Sequence, residues 1–190
     1  MKIILINGKK RSGKDYFANM LKQELKNVGK TSTIMSFAAP IKEIISETFD
    51  ITLKQLDAYK NTEEPVGTIR KKMGGMCYEV LTDFRLILQK FGTEAMKKQF
   101  GEDVWVRLLM DKAMKTNTDF VIVPDFRFYT ENLPGAITVK IKNDAVDNSG
   151  DTHRSETELD NFDFMYTFDN TGYPDINSDV KTFVSWITSW

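Results

Sequence analysis

The feature that most constrains this chain is a short apolar run that ends in a basic loop flanked by glycines. Residues 2–6, with Ile3-Ile4-Leu5-Ile6, form a continuous β-type run, the pattern of a strand buried on both faces. The run leads into Gly8-Lys9-Lys10-Arg11-Ser12-Gly13-Lys14-Asp15. Residues 15–27 follow with Phe17, Met20, Leu21 and Leu25 at helical spacing, and Gly29 lies just past the end. Strand, glycine-flanked loop and helix in that order are the context of a Walker A loop. Glycines let backbone N–H groups turn inward around phosphate oxygens, and the helix N-terminus adds a favourable dipole. Gly8, Lys10, Arg11, Ser12 and Gly13 are therefore candidate phosphate-binding residues, and Lys14 supplies a point charge for the β- and γ-phosphates. Asp15 stands where the strict pattern has a Ser or Thr on Mg²⁺. It either holds the metal through water or caps the helix.

Composition narrows the remaining choices. The 190 residues are 41% hydrophobic and 28% charged, which suits one folded domain over 1–190. Lys and Arg number 26 against 27 Asp and Glu, a net charge of −1, so no basic surface argues for a nucleic-acid partner. Cys77 is the only cysteine; no internal disulfide can form, which fits a reducing, cytoplasmic setting. The only histidine, His153, argues against a His-rich metal site. The run at 3–6 is too short for a signal peptide, and no run approaches the about 18–20 apolar residues that span a bilayer, so no membrane partner is expected.

Strand and helix signals alternate along the rest. Thr33–Phe37 reads as a second strand, and Pro40 opens a helix with Ile41, Ile44 and Ile45 on its apolar face. Thr52 and Gln55 have capping-box spacing at the start of 52–60. Residues 61–81, with Pro65, Gly67, Gly74 and Gly75, read as a mobile or irregular excursion. Thr82 is a candidate cap for a helix containing Phe84, Leu88 and Phe91. A helix over 103–115 places Val104, Leu108 and Met114 near one face. Phe120–Val123 is a second buried strand, closed by Pro124-Asp125. Ile137–Ile141 and Phe164–Phe168 read as strands, 143–161 as a polar loop, and 176–188 as a closing helix. This alternation predicts an α/β fold with a mostly parallel sheet.

The segment NGKKRSGKD resembles the phosphate loop of phage deoxynucleoside monophosphate kinases. Further segments resemble that family in order: Phe37–Lys42, Leu88–Glu94, Asp125–Phe128, His153–Glu156 and Asp169–Gly172. Phosphomevalonate kinase and dephospho-coenzyme A kinase share the general plan, and the former resembles the loop closely. The resemblance implies a three-layer P-loop kinase fold with five parallel strands and use of ATP with Mg²⁺. It also implies an acceptor-binding region at about 37–100, a lid at about 143–161 and, if the chain is viral, a place in the host cytoplasm. The sequence leaves open whether the chain forms a homodimer.

If the acceptor is already a phosphate anion, no general base is needed, and cations should matter most. Asp125 ends a buried strand at the sheet's carboxyl edge, where it either holds a Mg²⁺-bound water or is a turn residue. Arg127 is a candidate for neutralising the transferring or acceptor phosphate, against a plain surface ion pair. Arg85 and Gln89 are i and i+4 on one helix face, suiting a phosphate and a base edge, although ordinary surface polarity fits equally. Lys42 sits early in its helix, where a cation implies a nearby anion or is simply solvated. By the resemblance, Arg154 is a lid arginine that closes onto phosphates, with Glu156 pairing it or another lid cation. Asn170 lies at the adenine by the same resemblance, through backbone contacts. Trp186 reads as core and Trp105 either stacks on a base or packs.

The leading expectation is transfer from ATP to a deoxynucleoside monophosphate, giving the diphosphate. The alternatives are a small-metabolite kinase such as one acting on phosphomevalonate, and a P-loop ATPase or nucleotide-binding module.

Overall fold

The computed structural model describes residues 1–60, 69–73, 76–80, 84–145, 154–172 and 176–189. In chain order the elements begin with β1 (Lys2–Asn7), α1 (Lys14–Asn27), β2 (Ser32–Ile34), α2 (Ala39–Phe49) and α3 (Leu53–Lys60). Strands β3 (Ile69–Met73) and β4 (Met76–Val80) precede α4 (Phe84–Gln89), a π-helical stretch Lys90–Lys97 and α5 (Lys98–Phe100). Then come α6 (Val104–Met114), β5 (Phe120–Val123), a 3₁₀ turn Tyr129–Glu131, β6 (Ile137–Lys142), α7 (Arg154–Thr157), β7 (Tyr166–Asp169) and α8 (Ile176–Thr188). Two compact units result, one of residues 1–37 with 105–190 and one of residues 38–104.

The first unit holds an α/β fold of the P-loop kinase type, with five parallel strands in the order β2-β5-β1-β6-β7. Parallel pairing brings the carboxyl ends of all strands to one edge, with β1 in the middle. The core is built from Ile4 and Ile6 of β1, Ile122 of β5, Val139 and Ile141 of β6, and the inner faces of α1 and α8. Phe17, Leu21 and Leu25 are fully buried, which accounts for the helical spacing in the sequence. Each such side chain contributes roughly 2 kcal/mol by leaving water. Phe183 packs edge-on against Phe168 and beside Trp186, so Trp186 belongs to the core as expected. Gly29, at φ 73°, ends α1 in the left-handed region, and the Lys30 N–H reaches the Leu25 carbonyl at 2.9 Å.

In the second unit Pro40 stands in the first turn of α2, and Ile41 and Ile45 are buried. The capping box before α3 forms as read: the Gln55 N–H donates to Thr52 Oγ1 at 3.2 Å, and the Thr52 N–H to Gln55 Oε1 at 2.9 Å. Phe84 is the hub of this unit, edge-on to Phe49 and stacked on Tyr59. At Gly92 the π-helical stretch comes close to α2, since a Cβ there would lie 2.6 Å from Ile41 Cδ1.

Several sequence expectations are corrected. Residues 69–73 and 76–80 are not irregular: β3 and β4 pair antiparallel with Met73 opposite Met76. Residues 61–68, 74–75 and 81–83, with the proposed Thr82 cap, lie outside the described residues. Ile44 is exposed, so the buried face of α2 is narrower than read. The buried stripe of α6 is Trp105, Leu109 and Ala113; Leu108 and Met114 face outward. The face is thus rotated, because Trp105 takes the core position, which leaves its ring buried rather than presented to a base. The second strand stops at Ile34 because Ser36 and Phe37 turn toward Asp125. The last strand starts at Tyr166, since Phe162 and Phe164 pack on Phe126 instead. Among the described residues no helix is long and apolar enough to cross a membrane.

Candidate active site

The loop between β1 and α1 is shaped by its two glycines. A Cβ at Gly8 would lie 2.5 Å from Ser12 Oγ and 2.6 Å from the Ile141 carbonyl oxygen, so only glycine fits. Arg11 and Gly13 take positive φ, 62° and 98°, which folds the loop back on itself. The Ser12 N–H donates to the Lys9 carbonyl at 3.1 Å, closing the turn. Gly13 is the residue before α1, and among the described residues no side chain caps the helix there. The N–H groups of a first helical turn have no acceptor within the helix, so this end is ready for an anion. Ser12 Oγ is buried and has no hydrogen-bond partner among the described residues. A ligand oxygen would supply the missing partner. Lys14 Nζ folds back over the loop and donates to the carbonyls of Gly8 and Lys9, at 2.5 and 2.7 Å. Of the two readings of Asp15, the hydrogen-bonded cap does not form; its side chain is exposed in the first turn.

Asn170 follows β7, and its side chain turns to the loop rather than outward. Its amide donates to the Ser12 carbonyl at 3.0 Å.

The segment after β5 forms the next wall of the strand edge. Asp125 is committed to the chain beside it: one oxygen accepts from Ser36 Oγ at 2.7 Å and the other from the Phe37 N–H at 3.0 Å. Asn7 Nδ2 donates to the Phe126 carbonyl at 2.8 Å, which ties this segment to β1.

Arg127 is half-buried and partnered. It pairs with Glu156 and donates to the Ser155 carbonyl at 3.2 Å. The Glu156 side chain is only 7% exposed and the Arg127 side chain 31%. Burial works against the guanidinium's charge, but Glu156, Asp125 and Glu131 outweigh it and hold its pKa above the ordinary arginine value. Buried Glu131 also accepts the Arg127 and Phe128 N–H groups, at 2.7 and 3.1 Å, so the backbone under Arg127 is fixed as well.

Residues 154–160 hold to this wall through charge. Lys9 of the loop bonds to the Glu156 carbonyl and to Asp160. Arg154 pairs with Glu158 and lies over the Phe128 ring, 5.6 Å from its centroid. Glu156 therefore serves Arg127 and not Arg154. The rest of the lid read at 143–161, residues 146–153 with His153, lies outside the described residues.

The remaining candidates belong to the second unit. Lys42 pairs with Asp57 of α3 at 2.8 Å. Gln89 is half-buried on α4, which also carries Arg85; the Arg85 side chain lies outside the described residues. Sequence reasoning gave no role to Asn7, Ser36 or Glu131, because their contacts are to backbone or to residues far along the chain. An acidic residue four positions after Arg127 was the one visible hint of Glu131.

Among the described residues no group of three or more His, Cys, Asp or Glu side chains gathers as a metal cage. Mg²⁺ at such sites needs only one or two carboxylates beside phosphate oxygens and water, a set that Asp15 and Asp125 fit.

A search of characterised proteins finds no match to this chain. A family model described as phosphomevalonate kinase matches residues 6–133.

Proposed function

The chain belongs to the phosphomevalonate kinase family, and from that premise we propose that it transfers the γ-phosphoryl group of ATP to a small acceptor already carrying a phosphate. The carrying observation is the loop at 8–15. A folded-back ammonium, an uncapped helix start and a buried, unpartnered hydroxyl all lie within one turn of chain.

An oxygen of the acceptor phosphate attacks the γ-phosphorus. The bond from that phosphorus to the β,γ-bridging oxygen breaks, and ADP leaves with the electron pair. No proton has to be removed from the acceptor, so the side chains position and neutralise. Lys14 and the backbone of Gly8–Gly13 hold the donor phosphates, with Lys10 and Arg11 flanking them. Mg²⁺, when bound, neutralises charge on the β- and γ-phosphates, held by Asp15 and Asp125 through water. Arg127 offers the acceptor phosphate the N–H groups that Glu156 and Ser155 leave available. Arg154 exchanges Glu158 for a donor phosphate when nucleotide binds. Lys42, Arg85 and Gln89 recognise the acceptor.

The acceptor favoured by family membership is a phosphorylated small metabolite of the phosphomevalonate kind. A second reading, a deoxynucleoside monophosphate, is supported by the ordered resemblance to the phage kinases. Two of its segments, 153–156 and 169–172, lie beyond the family match at 6–133. The test is ADP release from MgATP with phosphomevalonate, dephospho-coenzyme A, and each deoxynucleoside and ribonucleoside monophosphate. Turnover with one class assigns the acceptor; ADP release without any acceptor would replace the proposal with an ATPase.

A further inference from the structure

The turn after the last strand reaches back to the start of the first helix. The Asn170 amide bonds to the Ser12 carbonyl at 3.0 Å across 158 residues of sequence. Asn170 is itself anchored, since its N–H donates to the Lys142 carbonyl at 2.7 Å, one step past the β6–β7 pairing. The turn beyond is fixed too: Asp169 accepts the Thr171 N–H at 2.8 Å, and Thr171 Oγ1 accepts the Asp144 N–H at 2.9 Å. The contact needs glycine at 13, where a Cβ would lie 2.5 Å from Asn170 Nδ2.

The consequence is directional. In a trans peptide the carbonyl and the N–H point opposite ways. Holding the Ser12 carbonyl therefore sets the direction of the Gly13 N–H, the last donor before α1. The same residue carries the buried, unpartnered Ser12 hydroxyl. A rotation of this peptide would turn the Gly13 donor away from the side of the loop on which the anion would sit.

We propose that Asn170 is a positioning residue: its carboxamide holds the Ser12–Gly13 peptide in the orientation that receives a polyphosphate. This rests on the phosphate-loop part of the proposed function and differs from a role at the adenine. It acts on the donor phosphates and leaves the acceptor alone.

The experiment compares wild type with Asn170→Ala and Asn170→Asp, the latter isosteric but without the donor. Calorimetry gives Kd for ATP and for inorganic tripolyphosphate, which has no base; initial rates give KM for ATP and for the acceptor. The expected result is an equal loss of affinity for both ligands, about tenfold in Asn170→Ala and more in Asn170→Asp. The acceptor KM should stay at the wild-type value. Loss of ATP affinity with tripolyphosphate unchanged would overturn the proposal in favour of an adenine contact, and no change in either would overturn it with no role for Asn170 in nucleotide binding. If Asn170→Asp fails to fold, Asn170→Ala carries the comparison. Wild type that fails to bind tripolyphosphate would sink the phosphate loop and the proposal together. Wild type that binds it but phosphorylates no acceptor would sink only the kinase reading.

Discussion

The two compact units carry their chemistry in different ways. In the sheet unit the groups proposed to face a donor phosphate are mostly backbone, fixed by where β1 ends and α1 begins. In the unit of residues 38–104 the candidates Lys42, Arg85 and Gln89 are side chains on helices, and Lys42 already has a partner in Asp57. Backbone sites tolerate little change in shape but are indifferent to what the phosphates are attached to. Side-chain sites can be retuned by substitution without disturbing the fold. On the proposed function, the donor half of the reaction is set by the architecture, whereas acceptor choice is open to sequence.

This contrast can be broken by mutation, most sharply at the loop. Lys14→Ala should lower kcat/KM by about 10²–10³-fold with any acceptor, the size expected for losing one charge-stabilising donor. Melting should stay near wild type, because the Gly8 and Lys9 carbonyls that accept from the ammonium can be satisfied by water in its place. Steady-state rates and a thermal melt check both parts. Activity that survives would place donor binding elsewhere.

Arg127→Ala should come next, lowering kcat/KM by about 10²-fold. It should also cost about 1–2 kcal/mol of stability, less than a fully buried pair because the arginine side chain is 31% exposed. Denaturant unfolding separates this variant from Lys14→Ala, since only Arg127→Ala strands a buried carboxylate, that of Glu156.

Arg85→Ala probes the other unit. The acceptor KM should rise about tenfold with the ATP KM and kcat unchanged, the signature of uniform binding. A change in the ATP KM instead would erase the division of labour between the units.

The smallest effect is on acid stability, and it falls on the sheet unit. Hydrogen bonds from the backbone and side chain of Thr31 lower the Asp119 pKa, and those from Thr171 lower that of Asp169. A carboxyl whose native pKa lies below its unfolded value stabilises the fold above the unfolded pKa. That stability is lost as pH falls through the native value. Melting temperature should therefore decline as pH drops below about 4, and Asp119→Asn should flatten the decline by a small amount. A variant with the wild-type slope would remove Asp119 from this account.

How legible these features were in the sequence follows from the range of the interactions. The loop between β1 and α1 is contiguous, so strand, loop and helix could be read at once, and the capping box at Thr52 and Gln55 is equally local. The β3–β4 hairpin was missed although Gly74-Gly75 separates its strands in the sequence. Arg70, Lys71 and Lys72 hide the alternation expected of a strand. The face of α6 was misjudged because Val104 and Trp105 are adjacent and both are buried. The partner of Arg127 lies 29 residues away and that of Ser12 lies 158 away, distances over which no spacing rule operates. Only the parallel sheet brings those residues to one edge.

The central claim is that one phosphoryl group passes from ATP to a phosphate-bearing acceptor. Phosphorus NMR of the protein with MgATP and each candidate acceptor tests it most directly. The account predicts a new diphosphate product growing in step with ADP, with the acceptor's monophosphate signal falling equally. ADP growing in step with inorganic phosphate, with every acceptor signal unchanged, would contradict it.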